Sequence, residues 1–275
     1  DYVVEEELAT VLFLMLKLKK PLLLEGPPGV GKTEAANIIA HYQDHELIRL
    51  QCYEGLDVST SVYEWNYQKQ LLHIKLSEKE KISAAEQEKF IFSDEFLLNR
   101  PLLKAITSDK PAVLLIDEID RADEEFEAFL LELLSDFQIS IPELGTIKAK
   151  HKPVVILTSN RTRDLSDALK RRCLYHWVDF PTFDKELAIV EKHVGGEVEI
   201  LQHLVRFVEY LRGQHLQKIP GIAETIDWAR ALITLNATTL SPELIESTLG
   251  CVLKAQKDIN EIKHSLTSIL EETSA

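Results

Sequence analysis

Leu22–Ala36 reads LLLEGPPGVGKTEAA: an apolar strand, a glycine-rich turn, then a sound helix start. Gly26-Pro27-Pro28-Gly29-Val30-Gly31-Lys32-Thr33 fits G-x-x-x-x-G-K-[ST] completely and has the flanking strand and helix the pattern needs. Its glycines let backbone N–H groups turn inward as an anion nest. The following helix, entered through Glu34, adds the positive end of its dipole. In that setting Lys32 reaches the β and γ phosphates of a nucleotide and the Thr33 hydroxyl ligates Mg²⁺. Gly26 through Glu34 is therefore the expected nucleotide-binding segment.

A second motif lies at Val113-Leu114-Leu115-Ile116-Asp117-Glu118. An apolar strand ending in Asp carries a carboxylate to the C-terminal edge of a sheet, where α/β folds place their ligands. Asp117 is the expected Mg²⁺ residue, and Glu118 is suited to orienting or deprotonating an attacking water. Alone, the stretch reads equally well as a strand running into a solvated acidic segment, Asp117 to Asp123. With the phosphate loop upstream, hydrolysis is expected. No Asn-Lys-x-Asp guanine-reading motif occurs, so ATP is favoured over GTP by elimination.

Further apolar runs without alternation, at Leu47–Leu50, Val154–Leu157 and Leu174–Val178, suit strands covered on both faces and a parallel sheet. From about Asp184 the strand signal stops. Glu186–Val194, Val198–Leu211, Thr225–Leu235 and Glu243–Leu270 carry helical apolar spacing, with Ser241-Pro242 as a helix start. The spacing predicts an α/β domain over 1–182 and an all-helical domain over 183–275, joined near Phe180-Pro181-Thr182-Phe183. Val11–Leu16 is too short to span a bilayer, is followed by Lys17, Lys19 and Lys20, and reads as one buried helix. The charged segment 73–89 reads as a solvated helix or mobile insertion. Alternating Ile139 and Ile141, then a Pro-Glu-Leu-Gly turn and Ile147, predict a hairpin within 137–149.

The totals narrow the partners. Acidic residues outnumber basic ones 45 to 31, for a net charge of -14. Such a surface repels phosphate backbones unless its cations are segregated, so a protein partner is expected and nucleic acid is not. Three cysteines, with no CxxC pair, form neither a disulfide framework nor a zinc signature, which fits a reducing cytoplasm. The acidic N-terminus lacks the basic start of a signal peptide, and the chain does not begin with Met, so flanking segments are expected to be missing. His41 and His45 stand at zinc-pair spacing, but the metalloprotease glutamate and a third ligand are lacking.

The two motifs, with Thr158-Ser159-Asn160 ending a later strand and Arg171-Arg172 soon after, resemble an AAA+ ATPase. Within that superfamily the chain resembles the MoxR group, and there the CoxD-like ATPases that accompany maturation of molybdenum-containing carbon monoxide dehydrogenase. The likeness covers nearly the whole chain and is most specific over Ile116–Ala149 and Leu157–Pro181. It implies a P-loop NTPase αβα fold with a parallel five-stranded sheet, followed by a small helical lid, with ATP bound between them. Asn160 matches sensor 1, which aligns the water against the γ-phosphate. Arg172 matches the arginine finger that enters a neighbouring subunit's site, with Arg171 as its understudy. The family's lid arginine falls on Ala223. Arg230, on roughly the same helical face, either reaches the phosphates from the lid or pairs with Asp227 or Glu224.

The resemblance further implies a homo-oligomeric ring, usually of six, that remodels a partner protein. The implied client is a metalloenzyme awaiting its cofactor, and the implied adaptor a von Willebrand factor A-domain protein. Two other readings share the nucleotide motifs: a nucleic-acid-associated AAA+ motor, against which the net charge argues, and a nucleotide-dependent scaffold with little turnover, against which Glu118 and Asn160 argue.

Overall fold

The structure, a computed structural model, describes residues 5–77, 84–142, 144–195 and 198–273. The strands are β1 (Leu22–Glu25), β2 (Glu46–Gln51), β3 (Tyr63–Trp65), β4 (Leu97–Asn99), β5 (Ala112–Asp117), β6 (Gln138–Ile141), β7 (Gly145–Lys148), β8 (Val154–Ser159) and β9 (Leu174–Trp177). Five of them form one parallel sheet in the order β2-β5-β8-β1-β9. These are the five apolar runs picked out above, and every residue of β5 is buried. β1, β5 and β8, whose runs have no face to offer water, are covered on both faces. The edge strands β2 and β9 carry exposed residues and, contrary to expectation, are not covered on both faces.

The sheet order puts the C-terminal ends of β5, β8 and β1 side by side. Register pairs Gln51 with Asp117, Ile116 with Leu157, and Glu25 with Ser159. Leu102, Leu103 and Ile106 from the helix Pro101–Thr107, and Phe126, Leu130 and Leu133 from the helix Glu124–Asp136, join the strands in one apolar core. That second helix starts on Asp123, whose carboxylate accepts the Phe126 N–H at 2.8 Å.

By its contacts the chain divides into two compact units. One holds the sheet, over Glu6–Glu25 and Thr33–Trp177; the other comprises the described parts of Asp1–Glu5, Gly26–Lys32 and Val178–Ala275. The helical unit contains the helices Phe183–Val194, Val198–Arg212, Ile222–Thr234, Pro242–Val252 and Gln256–Thr273. Its core is built from Leu204, Phe207, Leu211, Trp228, Ile245 and Leu249, among others. Within it the fully buried Glu186 holds Arg212 through two contacts, at 2.5 and 2.7 Å. Arg212 also donates to the Pro220 carbonyl at 2.9 Å, and its guanidinium lies 4.6 Å from the Phe180 ring centroid. A charge pair this deep is tolerable only because its remaining donors and acceptors find partners too.

Several expectations need correction. The run Glu243–Leu270 is not one helix: it breaks after Val252, and Leu253 turns to an extended backbone. Lys254 Nζ then donates to the carbonyls of Gly250 and Cys251, the orphan acceptors of the helix end. The first helix, Glu6–Leu18, is not buried all round: Leu8, Leu12 and Met15 face inward, while Phe13 is 57% and Leu18 56% exposed. The 73–89 segment consists of the end of the helix Tyr67–Ser77, six residues outside the described set (78–83), and the helix Ala84–Ile91, extending to Ile91. Lys75, Leu76, Glu86 and Lys89 are exposed, in line with a solvated helix, while His73 packs against Phe90 and Phe96, with ring centroids 4.5 and 5.7 Å apart. β3 and β4 pair antiparallel beside it. β6 and β7 form an antiparallel hairpin, with Ile139 opposite Ile147.

Candidate active site

The phosphate loop runs from the end of β1 to the helix Lys32–Gln43. Gly26 passes so close to Val178 that a Cβ there would lie 2.0 Å from the Val178 carbonyl oxygen. Gly29 has φ +78 and lies against Gly221, where an added Cβ would meet the Gly221 Cα at 2.9 Å. The Gly29 carbonyl accepts the Ile222 N–H at 3.0 Å, tying the loop to the start of the helix Ile222–Thr234. Lys32 is 6% exposed, and its amine donates to the carbonyls of Gly26 at 2.8 Å and Pro27 at 2.6 Å. Val30 is buried, whereas Glu34 is exposed and accepts from Asn37 at 2.8 Å. A cavity of about 520 Å³ opens beside the loop, lined by Pro27, Pro28, Phe180, Pro220, Glu224 and Val252 among others.

In the sheet unit, Asp117 ends β5 and is 3% exposed. Its Oδ1 accepts from the hydroxyls of Thr33 at 3.1 Å and Thr158 at 2.5 Å, and its Oδ2 lies 2.5 Å from Arg49 Nη2. A hydroxyl and a carboxylate offer only oxygen donors, which fits a hard divalent cation such as Mg²⁺. The structure therefore brings the two expected metal residues together.

Glu118 follows with φ 54 and ψ 50, the left-handed region that a side chain enters at some cost. Its N–H donates to the Thr158 hydroxyl at 2.9 Å. One Thr158 oxygen thus fixes both the Asp117 carboxylate and the Glu118 backbone. Glu118 Oε1 lies 3.4 Å from the Asn160 amide nitrogen, and Oε2 lies 3.5 Å from Arg121 Nε. The proposed water-activating carboxylate and the proposed sensor, far apart in sequence, therefore meet at the ends of neighbouring strands.

Asp120 was not singled out from the sequence. It is 3% exposed and accepts the backbone N–H of Asn160 at 3.1 Å, the N–H of Thr162 at 2.8 Å and the Thr162 hydroxyl at 2.7 Å. Burial pushes its pKa up, but the Thr162 and Asn160 hydrogen bonds outweigh that and hold it below the ordinary carboxylate value. Asp120 therefore keeps the loop carrying Asn160 in place. The nearby Cys52 is buried, and burial, followed by the charges of Asp117, Asp120 and Glu118, raises its pKa to about 12, leaving it an unreactive thiol.

Arg172 donates to the Ser135 hydroxyl at 2.6 Å and to the Ala168 carbonyl at 2.8 Å, whereas Arg171 is exposed. Arg230 lies 3.6 Å from Asp227 on its own helix, one of the two alternatives open for it. The helix carrying it starts at Gly221, whose N–H donates to Glu224 Oε2 at 3.0 Å.

Comparison with known proteins bears on the family and the fold. Among curated relatives, an uncharacterised protein of Staphylococcus aureus is 30% identical over 230 residues, spanning 80% of this chain and 78% of its own. The gas vesicle ATPase GvpN1 of Halobacterium salinarum is 25% identical over 280 residues, spanning 94% of this chain and 75% of its own. Among solved structures, a RuvB variant from Thermotoga maritima superposes with a TM-score of 0.54 at 19% identity, covering 98% of this chain and 81% of that one. That likeness shows the fold alone. The model of the ATPase family associated with various cellular activities (AAA) matches residues 22–179. The chain belongs to that family.

Proposed function

We propose that this protein binds ATP with Mg²⁺ and hydrolyses it as a ring-forming motor of the MoxR type. Its task is to remodel a partner protein. The client we favour is a metalloenzyme, in the first instance a molybdenum enzyme of the kind CoxD-like ATPases serve, with a von Willebrand factor A-domain protein as adaptor. The observation that carries the hydrolytic part is the Glu118–Asn160 contact of 3.4 Å beside the Asp117–Thr33 pair at 3.1 Å. A site for binding alone has no need of a carboxylate and an amide held where a water would attack. The curated relatives named gas vesicle ATPases support the same reading.

When bound, ATP supplies the transferable phosphoryl group and Mg²⁺ spreads its charge. Thr33 and Asp117 hold the metal, Lys32 turns from its own loop carbonyls to the phosphates, and Glu118 takes a proton from the water that Asn160 orients. The apolar walls at Pro27, Pro28 and Phe180 suit the adenine base. The Gly29–Ile222 hydrogen bond gives loop movements a direct path to the helices that follow. Arg171-Arg172 supplies the cation that completes a neighbouring subunit's site.

The experiment is to load Glu118→Gln protein with ATP and Mg²⁺ in the source cell's extract and identify what it retains relative to Lys32→Ala protein. Nucleotide-dependent retention of an A-domain protein together with an immature metalloenzyme supports the proposal. Retention of nucleic acid would move the reading to a nucleic-acid motor.

A further inference from the structure

Strand geometry places a cation where a metal ion would compete with it. In β2, Arg49 and Gln51 are two apart and both exposed, so they share one face of the sheet. Gln51 is the register partner of Asp117 on β5, which puts the Asp117 side chain on that same face. Arg49 reaches across to Asp117, with Nη2 2.5 Å from Oδ2 and 2.6 Å from the Gln51 amide oxygen. The Arg49 side chain is 53% exposed, whereas that of Asp117 is 4% exposed. The buried carboxylate is the fixed partner, and the arginine can swing out into water.

We propose that Arg49 is an internal counter-ion for Asp117: it neutralises the carboxylate before the metal arrives and yields Oδ2 when Mg²⁺ is loaded with the nucleotide. This rests on the reading of Asp117 as the Mg²⁺ residue. The reasoning is one of charge. A bare carboxylate at 3% exposure, 3.1 Å from the Thr33 hydroxyl, repels an unmetallated nucleotide brought to Thr33. With Arg49 on Oδ2 that repulsion is cancelled, so nucleotide can bind before the metal does. The same arginine must be displaced when the metal enters, which weakens metal binding. Arg49 is therefore a positioning residue that sets how strongly Mg²⁺ and nucleotide assist each other.

The test compares the affinity of a fluorescent ATP analogue with Mg²⁺ and with chelator, in wild-type, Arg49→Gln, Arg49→Lys and Asp117→Asn proteins. The quantity read is the ratio of the two dissociation constants, the Mg²⁺ enhancement. The proposal expects Arg49→Gln to raise that ratio at least fivefold, mainly by weakening metal-free binding, and Arg49→Lys to return it towards the wild-type value. Asp117→Asn should lower the ratio. An unchanged ratio in Arg49→Gln alongside a lowered one in Asp117→Asn overturns the role of Arg49 alone. An unchanged ratio in Asp117→Asn overturns the metal assignment of Asp117, and with it this inference. A lost Lys rescue with intact melting overturns the counter-ion role in favour of a purely geometric one.

Discussion

The amide nitrogen of Asn160 stands 3.4 Å from Glu118 Oε1, joining the ends of two strands whose partners in register include Ile116 and Leu157. Each side chain has a second tether: Thr158 takes the Glu118 N–H, and Asp120 takes the Asn160 N–H. Preorganisation of this kind lowers the cost of orienting a water in the transition state.

Replacing Glu118 with Gln removes the proposed proton acceptor while keeping its shape. Turnover should fall by about 10²–10⁴-fold. ATP affinity should stay close to wild type, because the proposed phosphate contacts come from the loop and not from this side chain. Lys32→Ala should instead lose binding. Phosphate release and equilibrium titration of a fluorescent nucleotide, run on the same preparations, separate the two. Weak nucleotide binding by Glu118→Gln would count against its role as water activator.

Thr158→Val is close to isosteric but has no hydroxyl. It strips one hydrogen bond from buried Asp117 and leaves the Glu118 N–H without its acceptor. An unsatisfied buried donor costs about 1–3 kcal/mol, so the unfolding free energy of the sheet unit should fall by up to that order and its melting temperature with it. Because Glu118 sits in the left-handed region, losing its anchor should also cost turnover, while Thr158→Ser should restore both. Calorimetric melting and steady-state ATPase rates would show it. Full activity in Thr158→Val would mean the Glu118 backbone holds its place unaided.

Asp120 carries a pH signature. Its pKa is depressed in the folded chain, so its stabilising effect is fully present above the unfolded carboxylate value of about 3.9 and is lost as pH falls through the lower folded value. Asp120→Asn retains one acceptor oxygen but no charge and should be less stable than wild type from pH 5 to 8. Below about pH 4 the gap should narrow as the wild-type carboxylate begins to protonate. Denaturant melts across that range give the answer. A gap that widens on acidification would mean that burial, and not the Thr162 and Asn160 hydrogen bonds, dominates at Asp120.

What the chain announces and what it hides follow a physical division. The phosphate loop and the strand before Asp117 were legible because each is a local pattern: consecutive residues make the anion nest, and an apolar run makes a buried strand. Asp120, Thr158 and Arg49 were not singled out as functional. Their partners are distant in sequence: those of Asp120 follow the end of β8, and only the sheet order β2-β5-β8 brings Arg49, Asp117 and Thr158 into line. The break after Val252 was hidden for a different reason. Apolar spacing continues through Leu253 into the next helix, and the stop comes from the extended backbone of Leu253, with Gly250 still inside the helix and no proline after it. The first helix looked fully buried because its apolar residues form an uninterrupted run, yet Phe13 and Leu18 face outward.

The two adjacent arginines should separate into an anchor and a reaching cation. Arg172 is tied to Ser135 and to the Ala168 carbonyl, so Arg172→Ala should lower the melting temperature as well as the rate. Arg171 is exposed, so Arg171→Ala should leave melting unchanged. A cation delivered to a neighbour's site stabilises charge that develops only in the transition state. Its loss should leave ATP binding intact and reduce turnover by ~10³-fold. A trans role has a further consequence that a cis role lacks. Mixing the inactive arginine variant with Lys32→Ala protein creates sites in which an intact phosphate loop faces an intact arginine, so activity should return in proportion to those mixed contacts. Rescue with Arg171→Ala alone would give the reaching role to Arg171 and leave Arg172 as the strut beneath it; rescue with Arg172→Ala would mean the Ser135 tether breaks on assembly. If neither variant regains activity while co-purification demonstrates mixed assemblies, the site must be completed by a residue of its own chain.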